Sequence, residues 1–577
     1  MKNREIARMF NEIADIMEIA EENPFKIRAY RKAALNLEDL GQDLAGMDHK
    51  ELLALPGIGA DLAARIEEYL ATGTMALYQQ LKAKVPAGVF ALLAIPGLGP
   101  KTAKTIHQQT GIATLDELEQ AAAEHRLAGI RGIQQKTEEN IIKGIAAVKR
   151  GRERQPLGRM LPAARDLVQA LKERVEIGRI EIAGSIRRRR DTVKDIDIVV
   201  TAPDPAAVME AFVTLPQVDA VSMHGLTRSS IVIRPGVQVD LRVVEPESFG
   251  AALAYLTGGK EHNVRLREMA QRRGMKINEY GIFDAEDRRL GGTEEEDAYR
   301  LLGLPFVVPE LREDRGEIEA ALAGRLPALI QVGDLLGDLH VHSKWSDGTH
   351  HLKDVAEAAK ARGLRYLAVT DHSHSLGVAR GLSVERLMEQ GEEIAALNRE
   401  QRDFYLLRGT EMEIGLDGSL DFPDEVLARL EFVVAALHSG FNQTREQLTG
   451  RIIAAMRNPY VHAIAHPTGR ILGEREAYPL DLEAILQAAR DTGTALEINA
   501  YPLRLDLNDL QVRRARELGV TLTISSDLHV LSQFDTLDYG ISVAQRGWLE
   551  KGDVLNTLEL PELLKRLKGK RNGAPAR

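Results

Sequence analysis

The sequence predicts a multidomain chain with an all-α front, a mixed α/β middle and a parallel α/β barrel at the back. Three observations carry this. Glycine turns repeat between short apolar helices in the first 150 residues, period-2 apolar runs appear over 155–245, and strand and helix patterns alternate from Gly337 to about Gly547. At 577 residues the chain exceeds one core, and roughly 150 residues per domain predicts about three to five units.

In the front part, "LLALPGIGADLAARIEEYL" from Leu52 is repeated as "LLAIPGLGPKTAKTIHQQ" from Leu92, with a weaker third copy from Gly129. Each copy predicts two helices joined by a glycine turn. The turn exposes backbone N–H groups at a helix start, a sequence-independent cradle for phosphate. Gly57, Gly59, Gly97 and Gly99 are therefore candidate DNA contacts, with Lys101, Thr102 and Lys104 after the second turn. Two helical subdomains, 1–80 and 81–150, are expected.

Residues 151–245 read as a sheet preceded by a helix. In "KDIDIVV", Asp195 and Asp197 share one strand face while Ile196 and Ile198 take the other. In "VQVDLRVV", Asp240 lies with Gln238 and Arg242, opposite Val237, Val239, Leu241 and Val243. If the two strands are neighbours, three carboxylates converge and repel. Two Mg2+ or Mn2+ ions would relieve that repulsion, a clamp suited to phosphoryl transfer. Gly184 and Ser185 would let phosphates approach, and Arg187 to Arg190 predict a phosphate clamp. Residues 246–310 return to helix, and 311–335 read as a linker.

The strands "DLHVHS", "YLAVTDHS", "FYLLRGTEMEI", "FVVAALHS", "VHAIAHP", "TALEINA" and "TLTISSD" in 336–572 predict a seven-stranded barrel. His340, His342, Asp347, His372, Glu411, His438, His466, Asp527 and His529 fall at or just past strand C-terminal ends, which share one rim in a barrel. Nine ligands exceed the needs of one zinc and fit two or three Zn2+ or Mn2+ ions with a bridging carboxylate. Glu411 is the candidate bridge and Glu413 its competitor; Asp371, His374 and Arg470 are expected around them. The chain has no cysteine, which excludes thiolate sites and disulfides. The net charge of −10 is concentrated at the back, where 311–577 carry 32 Lys and Arg against 40 Asp and Glu, so the front half has room for basic patches. No apolar run reaches the ~18 residues of a membrane span, and the N-terminus lacks a signal-peptide core. A cytoplasmic protein is expected.

"GSIRRRRDTVKDID", "VDLR" and "AYLTGGKEHNVRLREMAQRRGMKINEYGIF" resemble the bacterial family X DNA polymerases. The glycine repeats resemble helix-hairpin-helix motifs, and the histidine-rich rim resembles the polymerase and histidinol phosphatase (PHP) superfamily. Together the resemblances cover nearly the whole chain. They imply a helix-hairpin-helix front, an α/β nucleotidyltransferase palm (151–245), a nucleotide-selecting subdomain (246–310) and a C-terminal PHP-type (β/α)7 barrel. Asp195, Asp197 and Asp240 would hold metal, Asp240 also serving as base toward the primer 3′-hydroxyl. Ser185 and Arg188 would hold triphosphate oxygens. Tyr255 and the Thr257-Gly258 turn would face the incoming sugar, Asn263 the nucleotide and Arg267 the template.

The chain departs from the family pattern at Leu256, where an aromatic residue is usual, and at Gly259, where serine is usual. Arg65 stands where lyase members carry a Schiff-base lysine, which predicts no lyase activity of that type, because a guanidinium is never appreciably neutral. "NPFKIRAYRKAA" resembles the family's 5′-phosphate-binding helix, which would make Lys26, Arg28, Tyr30 and Arg31 phosphate contacts; a solvated helix face is the alternative reading. The implied protein is a monomeric repair polymerase acting on gapped or primed DNA with deoxynucleoside triphosphates. Its barrel would give 3′→5′ exonuclease or 3′-end phosphatase activity. The alternatives are a PHP phosphoesterase with a catalytically silent DNA-binding front half, and a non-enzymatic scaffold that leaves both carboxylate sets unexplained.

Overall fold

The computed structural model describes residues 3–571 apart from 21, 39–43, 45–46, 56, 73, 83–88, 90–91, 93–97, 128–129, 131–132, 134–136, 139–140, 143–144, 146–153, 234–235 and 402. It divides into two compact units, Met1–Gly151 and Arg152–Arg577.

In the first unit the helices Asn3–Ile19 and Pro24–Glu38 pack together through Phe10, Ile13, Ile16 and Leu37. Tyr30 belongs to this core, its ring edge-on to Phe10 with centroids 5.2 Å apart. Its hydroxyl donates to Asp61 at 3.3 Å. Arg31 is bound to Asp15 and Glu18 at 2.9 and 2.7 Å. Of the four residues expected to meet a 5′-phosphate, Lys26, Arg28 and Arg31 are exposed, Arg31 being held in ion pairs; Tyr30 is taken up by packing. The first hairpin runs from His49–Ala54, opened by a capping box between Asp48 and Glu51, to Ala60–Thr72. Gly57 turns the chain with φ +78°, a conformation that glycine adopts at no steric cost. In the second copy Gly99 caps Pro100–Thr110, with proline at the first helical position. Gly97 and most of the third copy lie outside the described residues.

In the second unit a five-stranded sheet has the order Ile180–Ile182, Asp195–Val200, Val237–Val243, Arg228–Ile233, Val218–His224. The Asp195–Val200 and Val237–Val243 strands are parallel neighbours, with Asp197 directly opposite Asp240. Their alternate residues Ile196, Ile198, Val239 and Leu241 fill the core beneath. Helices Phe249–Thr257 and Lys260–Gln271 follow. The stretch 311–335, expected as a linker, is instead a packed joint. Leu311, Ile318 and Ala321 join the core built on Leu266, Tyr299 and Leu302, and Arg312 and Glu317 are fully buried. Arg312 donates to Glu295 at 2.6 Å and to the Val307 carbonyl at 2.8 Å.

All seven predicted barrel strands are present and parallel, in sequence order from Gly337–Val341 to Leu522–Ser525. A bridge between Val341 and Leu528 brings the first and last strands together. These strands are buried on both faces, as parallel strands covered by helices must be. Among the described residues no helix is long and apolar enough to cross a membrane.

Candidate active sites

The palm carboxylates are brought together by strand register. The side chains of Asp195 and Asp197 emerge on the face that Asp240 shares. Asp240 accepts from Ser230 Oγ and, at 2.9 Å, from Gln238 Nε2. Gly184, at φ +69°, lies so near that a Cβ would stand 2.4 Å from Asp197 Oδ2. Glycine is thus required here to admit the carboxylate. Burial, then the charges of Asp195 and Asp240, push the Asp197 pKa up to about 7.

A carboxyl whose folded pKa is raised keeps its proton after the unfolded chain has lost it. Its contribution to stability is therefore lost as pH rises from the ordinary carboxylate range toward about 7. A divalent cation bound there would replace that proton. The expected result is that the Mg2+-induced rise in melting temperature grows as pH increases toward about 7, and that this growth is lost in Asp197→Asn. Thermal scans of both proteins across that range are the check.

The four arginines are not a solvated basic loop. Arg187 forms a fork with Glu295 at 2.5 and 2.7 Å and donates to Thr257 Oγ1. Arg188 donates from Nε to Glu313 at 3.0 Å and from Nη1 to the Thr257 carbonyl at 2.7 Å. Arg189 lies 3.6 Å from Asp538, and Arg190 reaches Glu313 at 3.2 Å. Glu313 is shared with Arg546 of the barrel, which also donates to the Arg188 carbonyl and to Asp509. The arginine loop therefore bolts the palm to the 246–335 region and to the barrel, and Arg188 would have to leave Glu313 to hold a triphosphate. Ser185 is half-buried one residue after Gly184.

Asn263 Nδ2 donates to the Tyr255 and Gly258 carbonyls at 2.7 and 3.1 Å, holding the end of the helix that carries Tyr255. Arg267, one turn on, is exposed. Gly259 has a local reason: its N–H donates to the Arg312 carbonyl, and a Cβ would stand 2.8 Å from that oxygen. In the first unit Lys101 is exposed and Thr102 half-buried. Arg65 is tied to Glu68 at 3.0 Å and lies 3.7 Å from Asp61. Borohydride trapping on abasic DNA is expected to leave no adduct at Arg65; an adduct mapped to this helix would overturn that reading.

At the barrel rim five of the candidate ligands converge on a sixth, Glu411. Its Oε2 lies 2.9 Å from His372 Nδ1, 3.4 Å from His340 Nε2 and 3.5 Å from His342 Nε2. Its Oε1 lies 3.1 Å from His466 Nε2 and 3.3 Å from His438 Nε2. Three ion-sized clusters result: His342, Asp347, His372 and His529; His340, His342 and Asp527; and His372, Glu411 and His438. Glu413 stands behind, receiving His438 Nδ1 at 2.7 Å and Ser439 Oγ at 3.0 Å. Asp371 is buried and holds the 343–346 turn through Ser343 and Ser346. His374 is exposed, 3.9 Å from Asp421. Arg470 pairs with Asp191 of the palm at 2.9 Å.

The donor set fits divalent cations. Among the described residues, His340 Nε2, both nitrogens of His342, His466 Nδ1 and Glu411 Oε2 are buried without a hydrogen-bond partner. Such atoms are costly unless something else binds them. Three histidines have their other nitrogen occupied: His340 Nδ1 by Glu497 at 2.7 Å, His438 Nδ1 by Glu413, and His529 Nδ1 by the Asp527 carbonyl at 2.9 Å. That arrangement fixes the tautomer and aims Nε2 inward, as at metal sites. Burial, then the neighbouring His529 and His372, lowers the His342 pKa to about 3, keeping it in the neutral, ligating form. Sequence reasoning missed Glu497, which also accepts the His466 N–H at 2.7 Å. Its signal was a carboxylate inside the fully buried strand Ala495–Asn499.

This fold and these sites define a nucleotidyltransferase palm joined to a metal-dependent phosphoesterase barrel. Family models match four stretches: a helix-hairpin-helix domain over 1–75, a SAM-like helix-hairpin-helix tandem over 90–147, a DNA polymerase beta thumb over 252–313 and a PHP domain over 338–500. The "DNA polymerase/3′-5′ exonuclease PolX" of Bacillus subtilis is 38% identical over 566 residues, covering 98% of this chain and 99% of that one. A probable phosphatase of Thermoanaerobacter sp. is 29% identical over 253 residues, 41% of this chain and 98% of its own. Another, of Syntrophotalea carbinolica, is 34% identical over 234 residues, 38% of this chain and 92% of its own. The chain belongs to the PolX family, the family X DNA polymerases that carry a C-terminal PHP domain.

Proposed function

We propose that the protein fills short gaps in DNA during repair in the cytoplasm, extending a primer 3′-hydroxyl with deoxynucleotides, and trims or dephosphorylates 3′ ends in its barrel. The observation that carries this is the presence of two separate carboxylate centres in one chain, Asp197 beside Asp240 in the palm and the Glu411 cluster at the barrel rim. Asp195, Asp197 and Asp240 would hold two Mg2+ or Mn2+ ions, and the rim residues two or three Zn2+ or Mn2+ ions. Bound there, the ions offset phosphate charge and activate the attacking oxygen. In the palm, Asp240, steadied by Ser230 and Gln238, takes the 3′-hydroxyl proton, and pyrophosphate leaves from the α-phosphate in line. Ser185 and Arg188 receive the triphosphate, Tyr255 and Gly258 the sugar, and Asn263 the nucleotide. The turns at Gly57, Gly59, Gly97 and Gly99, with Lys101, Thr102 and Arg267, hold the DNA. Removal of a 3′-phosphate is a second use of the same rim, favoured by the likeness of the barrel to probable phosphatases.

The test is a primer labelled at its 5′ end in a short-gapped duplex, incubated with protein and manganese. The primer is expected to lengthen with deoxynucleotides and to shorten without them. Shortening alone would leave a phosphoesterase with a silent palm. No change in either lane would sink both activities.

A further inference from the structure

Arg470, expected at the rim as a possible substrate contact, turns out to be fully engaged. Nε donates to the Arg504 carbonyl at 2.9 Å, Nη2 to the Leu505 carbonyl, and Nη1 to Asp191 of the palm at 2.9 Å. What it holds is the loop 501–507, and that loop carries a different arginine to the metal cluster. Arg504 Nε lies 3.8 Å from Asp527 Oδ2. Its Nη1 is buried and has no hydrogen-bond partner among the described residues. A buried guanidinium N–H without an acceptor costs free energy unless a ligand supplies one.

The loop is shaped for this placement. Leu505, His466 and Asp527 all adopt positive φ, at +45°, +27° and +54°, a conformation that non-glycine residues keep where the surroundings over-determine it. Asp506 is buried and takes both the N–H and the hydroxyl of Thr468. The palm grips the loop at a second point: a Cβ on Gly158 would stand 2.1 Å from Pro502 Cβ. Two palm residues, Asp191 and Gly158, thus bear on a loop whose arginine faces the barrel's metal ligands.

We propose that Arg504 receives a non-bridging oxygen of the terminal phosphate of the DNA substrate at the barrel centre, and that the palm positions it through Asp191, Arg470 and Gly158. The ligand class is a phosphate monoester or diester at a 3′ end, for which the planar fork of arginine is matched. This rests on the reading of the barrel as the 3′-end-processing centre. It adds that the polymerase part supports the element that holds the phosphate.

The experiment uses the full chain loaded with manganese and reads three quantities: bound metal, the affinity for inorganic phosphate by calorimetry, and degradation of the 5′-labelled primer. Arg504→Gln is expected to weaken phosphate binding and kcat/KM by about 10- to 100-fold with bound metal unchanged, and Arg504→Lys to restore part of both. Asp191→Asn and Arg470→Gln are expected to weaken phosphate binding several-fold and to add nothing in combination with Arg504→Gln. Gly158→Ala, which pushes on Pro502, is expected to act in the same direction. Unchanged phosphate affinity in Arg504→Gln overturns the proposal. So does a loss of bound metal in that variant, which would make Arg504 a support for the ligands. Additive effects of Asp191→Asn and Arg504→Gln would remove the palm from the positioning. A wild-type protein that binds phosphate through Arg504 yet shortens no primer would instead overturn the exonuclease reading and leave Arg504 in place.

Discussion

Asp197→Asn is expected to abolish primer extension, with a loss on the order of 10³-fold or more, the rate equivalent of about 4 kcal/mol of lost charge stabilisation. Asp197 is the central member of its trio: it faces Asp240 across the parallel strand pair and follows Asp195 on the same face. Asparagine keeps the volume and the strand pairing but removes the charge that makes the site a cation clamp. The helix-hairpin-helix turns lie in the other compact unit, so binding of gapped duplex should stay within about two-fold of wild type. Shortening of the primer by the barrel should persist. Extension at the wild-type rate would show that the palm chemistry lies elsewhere, and a parallel loss of DNA binding would show that the substitution disturbed more than the site.

Glu411→Gln is expected to remove 3′-end processing by more than about 100-fold and to lower the manganese bound per chain, while extension continues. The reason is position: the two oxygens of Glu411 stand between five histidines, and Oε2 is buried with no hydrogen-bond partner among the described residues. The amide presents one acceptor where the carboxylate presents two charged ones, and its NH2 group would donate to imidazole lone pairs that a bound metal would otherwise receive. Glu413→Gln should act more weakly, because Glu413 orients His438 from behind. Metal analysis by mass spectrometry, together with the two-lane primer assay, separates the cases. Equal effects at the two positions would place the bridge at neither. Loss of extension as well would show that the barrel and palm are coupled through the Glu313–Arg546 joint.

Most of both centres was legible in the sequence because each rests on local periodicity. A strand repeats every two residues, so "DIDIVV" by itself places Asp195 and Asp197 on one face and a buried Ile/Val run on the other. A parallel barrel gathers its strand C-termini, so a histidine or carboxylate at six of the seven strand ends reads as one rim before any distance is known. The glycine turns are legible for the same reason: Gly57 and its helix starts are written within twenty residues of chain.

What the sequence by itself determined, then, was which face, which strand end and which turn each functional residue occupies. The tertiary structure alone decided who its partners are. Four arginines read the same whether they await a triphosphate or bind protein, and the carboxylates that engage Arg187 and Arg188 lie 108 and 125 residues further on. Glu411 and Glu413 are alike in the strand pattern; one falls at the centre of five imidazoles and the other a strand step beyond it, a difference of about 7 Å along the strand. Glu497 and Arg504 carry no motif, and their places beside His340 and Asp527 follow from barrel closure and from the palm's hold on a loop. Periodicity is a property of neighbours in sequence, whereas ion pairing and ligand geometry depend on which distant segments the packed core brings within a few ångströms of one another.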